Sequence, residues 1–311
     1  MSTTRWKDTR VENIEEAINS LMAPIPDDED TSNISRKNWK MVKLFSNNET
    51  ITLLEKSVEF NIVNFSYDKI TNTGLEKNRV PQTGFIIVYS IENQVNYIIN
   101  RNSEAKLILR KMLSYNGRNE IDNNSFTIDS DFFLWLINRI YYANNEIDVG
   151  EEPSSVLKIN AIKGFQGDTE DSQTTVTASG ESVMNVISVL SFFLESRQLK
   201  KVSIELSYRE HLKIDVVIKN GVLDIDLMSY MGKLDSEDMD KKKANLFLLT
   251  YLHIVPVLIQ EYSTDKENEL WNTSCYVAFI KDVADTIAKK IEEKKSSIER
   301  LNNNEMHKEK A

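Results

Sequence analysis

Residues 201–230 read KVSIELSYREHLKIDVVIKNGVLDIDLMSY, and the fold turns on this stretch. Apolar side chains fall at every second position in three runs: Val202, Ile204, Leu206 and Tyr208; Leu212, Ile214, Val216 and Ile218; Leu223, Ile225 and Leu227. A two-residue period is that of a strand with one buried face. Asn220-Gly221, between the second and third runs, suits the positive φ values of a two-residue type I′ turn. The stretch therefore predicts a three-stranded antiparallel meander. The preceding loop, Arg209 to His211, contains no glycine, so positive φ is expected at Glu210 or His211.

The same register sets the outward face. The Asn-Gly turn pairs Asp215 with Asp226, and aligning Leu206 with Ile214 puts Glu205 opposite Asp215, so Glu205, Asp215 and Asp226 form one cross-strand row. Opposed like charges destabilise a sheet. Oxygen ligands in line suit Mg²⁺ or Mn²⁺, with Lys213 and Asp224 on the same face. Without a metal the row is a water-exposed face screened by Lys213, Lys219 and Arg209. No lysine follows two residues after Asp226, so a recognised nuclease spacing is missing.

Downstream, an apolar run predicts a buried helix over 241–262, kinked at Pro256, which has no N–H to donate. A final helix over 273–301 keeps a seven-residue period, with Val277, Ala284, Ile291 and Ile298 at one position and Ile280, Ile287, Lys294 and Leu301 at the other. This is the expected interaction seam. The polar tail beyond it is expected to be disordered.

Upstream, Ser179 is placed to cap a helix over 181–197 covering the meander. Strands are expected at 156–162 and 174–177, joined by a loop holding Gly164 and Gly167, and a helix at 131–143 capped by Asp129 or Ser130. Phe85 to Ile91 and Val95 to Ile99 read as a hairpin, followed by a helix that Ser103 caps. Short strands are expected between 39 and 67, and an amphipathic helix over 9–22. The expected organisation is a helix and acidic linker (1–36), an N-terminal α+β module (37–150) and a C-terminal α+β module (151–311).

The fold class is thus α+β, an antiparallel meander packed against helices with a long C-terminal amphipathic helix. A net charge of −10 disfavours nucleic acid and anionic membrane as partners. Cys275 is the single cysteine, which points to a reducing, cytoplasmic compartment, and the N-terminus lacks the apolar core of a secretion signal. The chain has no phosphate loop, HExxH, GxSxG or paired CxxC. His253 and Cys275 sit in apolar helical contexts and read as core residues. The expectation is a non-catalytic interaction or adaptor protein without cofactor, part of a cytoplasmic bacterial complex, joined to a protein partner or a second copy through the final helix. An asparagine-rich, glycine-poor composition suggests an accessory system such as phage defence. The alternative is a Mg- or Mn-dependent, nuclease-like hydrolase on Glu205, Asp215 and Asp226.

Overall fold

The computed structural model describes residues 2–28, 33–53, 55–72, 77–117, 119–150, 155–169, 175–179 and 196–308, with backbone alone for 77, 168–169, 175–179, 196–197 and 301–308. The fold is α+β, a large antiparallel sheet with helices and a long C-terminal helix. The chain divides into two compact units, each assembled from separated segments: 1–127 with 218–256, and 128–217 with 257–311. The crossings fall there rather than near residue 150. The polar segment after 145 is instead a hairpin connection, because β8 (Glu146–Asp148) pairs with the start of β9 (Val156–Thr169).

In the first unit, β1 (Ser2–Asp8) runs between β13 (Val222–Ile225) and β6 (Gln94–Ile99). The amphipathic helix begins only afterwards, as α1 (Ile14–Met22), with the Asn13 side chain accepting from the Glu15 N–H. β4 (Lys56–Asn72) and β5 (Lys77–Ile91) form a long hairpin, flanked by β6 on one side and β2 (Ile34–Lys43) on the other. Positive φ at Glu92 (52°) and Asn93 (63°) makes the β5–β6 connection a two-residue primed turn. The near-continuous apolar run in β5 is explained by cover on both faces. Ile86 and Val88 join one core with Ile18 and Leu21 of α1 and Ile108 and Leu109 of α2 (Ala105–Met112). On the other face, Phe85 lies 5.9 Å, ring to ring, from Phe247 of α4 (Met239–Leu249). The acidic linker expected to run to residue 36 is shortened by β2, and Asp28 in it accepts from the Arg36 backbone N–H at 2.9 Å.

The apolar helix continues from α4 through a π-helical turn (Thr250–Ile254) into α5 (Val255–Glu267). The Val255 N–H reaches Thr250 O, one residue further back than in an α-helix, so the hydrogen-bond ladder resets directly before Pro256. Met239–Glu267 is long and apolar enough to cross a bilayer by composition, yet 67% of its apolar window is buried.

In the second unit the strand order is β10 (Thr175–Ser179), β9, β11 (Ser196–Tyr208), β12 (His211–Lys219). The helix expected over 181–197 lies almost wholly outside the described residues, and by Ser196 the chain is already in β11. α3 (Ser130–Tyr141) is capped by Asp129, which accepts from the Phe132 N–H at 3.0 Å. It packs on β9 and β11, and Arg139 ties it to α5 through Glu261 (2.9 Å) and Asp265 (3.0 Å). The last helix, α6, spans Thr273–Lys308, running on through part of the tail expected to be disordered.

Candidate functional site

Of the expected acidic row, Glu205 on β11 and Asp215 on β12 lie in the second unit, whereas Asp226 follows β13 in the first. β11 buries Val202, Ile204, Leu206 and Tyr208, which turns Glu205 outward. The turn into β12 has two residues, Arg209 and Glu210, and positive φ falls at Arg209 (50°), not at Glu210 or His211 as expected. A loop one residue shorter shifts the register by one, which reverses facing along a strand. β12 cancels the shift locally. His211 is buried, Leu212 is 64% exposed against its expected inward position, Lys213 also turns outward, and burial alternates again from Ile214. Asp215 therefore regains the outward face beside Glu205.

The decisive group is Lys163. On β9, Ile162 pairs with Ile204 and Gly164 with Ser203, so Lys163 is the extra residue of a β-bulge. A bulge bends its strand and re-aims the inserted side chain. Lys163 Nζ stands 2.9 Å from Asp215 Oδ2 and 3.0 Å from Glu205 Oε2, and Lys213 Nζ lies 3.8 and 3.6 Å from the same two oxygens. Burial opposes the Lys163 charge, but hydrogen bonds to Asp215 and Glu205 outweigh it and hold the ammonium above the usual lysine range. Asp215 Oδ1 is buried without a hydrogen-bond partner.

Asp226 has another role. β13 ends at Ile225, and the Asp226 carboxylate accepts the Met228 N–H at 3.0 Å, closing a turn. The turn before β13 keeps positive φ at Gly221 (69°) but not at Asn220, so it is not type I′; Ile218 and Leu223 are nevertheless both buried, as the hairpin requires. Chemically, two carboxylates and two ammonium groups balance one another. A divalent cation reaching Glu205 and Asp215 has to displace Lys163, and among the described residues no three His, Cys, Asp or Glu side chains are arranged to hold a metal. Gly164 and Gly167 lie within β9, paired with β11 and β10, and form no phosphate loop. His253 is buried in the π-helical turn, and Cys275 is half-buried in α6.

The seam of α6 divides along its length. The stripe that packs on the helix's own unit is Phe279 and Val283, both fully buried, with Tyr141 of α3 hydrogen-bonded to Thr286 Oγ1 at 2.7 Å. Ile280 and Ile287 border it and are half-buried. Val277, Ile291 and Ile298 are 61%, 53% and 48% exposed, and the Leu301 side chain lies outside the described residues. Sequence reasoning missed Lys163, whose one signal is its place between Ile162 and Gly164, and missed that packing shifts to the Phe279–Val283 stripe. No family model and no curated protein matches the chain.

Proposed function

We propose that the chain is a non-catalytic interaction protein that associates with a second copy through the distal half of α6, the two helices running antiparallel. The observation carrying this reading is the seven-residue spacing of Ile291 and Ile298, both about half exposed, on a helix whose first half is already packed through a different stripe. Flanking charge selects the direction. In a parallel pair, Lys290 at a g position faces the partner's Lys295 at e, a like-charge contact. In an antiparallel pair with Ile287 over the partner's Ile298, Lys290 meets Ser297 and Lys295 meets Ala288.

Light scattering tests the reading. The wild type is expected to dimerise at roughly tens of micromolar, corresponding to about 6–7 kcal/mol. Ile291→Asp with Ile298→Asp is expected to give a folded monomer, since both side chains are exposed. A wild type that stays monomeric at about 100 μM overturns self-association. The alternative, a Mg- or Mn-dependent hydrolase on Glu205, Asp215 and Asp226, has against it the lysine already seated between two of its carboxylates. Calorimetric Mn²⁺ binding lost in Asp215→Ala would restore it.

A further inference from the structure

A cleft of about 530 Å³ opens beside α2 in the first unit. Among the described residues its charge is opposite to that of the protein: the chain carries −10, yet Arg36, Lys106, Arg110 and Lys111 line the cleft with Asp28 as the one described carboxylate. Two of these cations are committed. Lys111 Nζ holds Asp28 at 2.6 Å, and Arg36 Nη2 holds Glu104 at 3.2 Å, a carboxylate that Lys69 also reaches at 2.9 Å. The other two are held less tightly. Lys106 forms no ion pair with a described carboxylate, and Arg110 Nε stands 3.9 Å from Glu120, beyond hydrogen-bond distance.

Lys106 and Arg110 are also four residues apart on one helix face, an arrangement that destabilises a helix unless something neutralises it. Two further donors lack acceptors: the Nε–H groups of Arg36 and Arg110 are both buried without a hydrogen-bond partner. Arg36 is itself 8% exposed, so its guanidinium has little recourse to water. At the same cleft, Leu107 is 50% exposed and offers an apolar contact. The volume suits a small organic molecule rather than a lone ion. The two buried Nε–H groups do not themselves face the cleft, but the Lys106 ammonium and the terminal guanidinium nitrogens of Arg110 are the chemistry that takes phosphate oxygens.

We propose that this cleft binds a phosphate-bearing small molecule, its phosphate oxygens on Lys106 and Arg110 and its organic part over Leu107. The site is independent of association through α6. Calorimetry with the full chain tests it, using inorganic pyrophosphate as the charge-only probe and ADP as a phosphate with an organic part. ADP is expected to bind more tightly than pyrophosphate, and both to weaken with added NaCl. Lys106→Gln with Arg110→Gln is expected to weaken both probes by about tenfold or more, since charge-assisted hydrogen bonds are removed. Leu107→Glu, which leaves every cation in place and lies at an exposed position, is expected to abolish binding through repulsion while the melting temperature holds. Absence of binding for both probes at about 10 mM overturns the proposal, since contacts of this kind reach at least millimolar affinity. So does binding that neither variant changes.

Discussion

Lys163 settles how the acidic row behaves, because it sits between two carboxylates that would otherwise repel. Removing it is the direct test. Lys163→Met is expected to lower unfolding free energy by about 1–3 kcal/mol in urea titration, the range for leaving partly buried charged groups without a partner. If Glu205 and Asp215 were merely solvated, the substitution would leave stability unchanged. A second residue-scale prediction follows from Glu104. A hydrogen bond from Lys69, opposed by burial and helped by Arg36, holds its carboxyl below the usual range. A carboxyl depressed in the folded state adds stability that is present above its unfolded value of about 4.3 and lost as pH falls through the folded value. The stability difference between wild type and Lys69→Met is therefore expected at pH 7, shrinking as pH falls from about 5 towards 3. A difference that is flat across that window would show the pair contributes nothing. At this scale, the outward facing of Glu205 was legible because β11 keeps a period of two, whereas Asp215 faces outward only because β12 breaks that period at Leu212 and Lys213. Lys163 was not legible, because a bulge breaks the period of β9.

At the scale of elements, sequence periodicity located α6 but not the stripe it buries. Heptad counting follows a seam at 277, 280, 284 and 287, whereas the helix packs through Phe279 and Val283, spaced by four and turned away from that seam. The phase is chosen by α3, whose Tyr141 meets Phe279 edge to face at 5.4 Å, and that partner is remote in sequence. Phe279→Ala is accordingly expected to cost about 3–5 kcal/mol in thermal or urea unfolding. Ile298→Ala, at an exposed position, is expected to leave the unfolding of the monomer within about 0.5 kcal/mol of wild type. Equal losses for the two would place the packed stripe wrongly. β1 was illegible for a related reason. Its buried side chains include the adjacent Thr3 and Thr4, one on each face, whose hydroxyls donate to Leu223 O (3.0 Å) and Arg101 O (2.7 Å), so no apolar alternation marks the strand. Where burial is apolar and one-sided, as along β11, the reading was sufficient.

At the scale of the whole molecule, the first unit depends on residues 218–256, far along the chain from the rest of it. Those residues supply β13 beside β1, the Leu223 carbonyl that accepts from Thr3, and Tyr251, whose hydroxyl donates to Thr3 O at 2.8 Å. They also supply α4, whose Ala244, Phe247 and Leu248 are essentially fully buried. Losing several such side chains, at about 1.5–3 kcal/mol each, exceeds much of the 5–15 kcal/mol that a domain holds in reserve. A fragment comprising residues 1–150, cut where composition places a boundary, is therefore expected to lack near-ultraviolet circular dichroism and a sigmoidal melting curve. A chain joining 1–127 to 218–256 through a short Gly-Ser linker is expected to show both. The join is short because Ser125 and Phe126 lie against Gly221, where an added Cβ would meet the Ser125 side chain at 3.2 Å. Cooperative melting of 1–150 with none in the joined chain would mean that sequence order, not these long-range contacts, defines the folding unit.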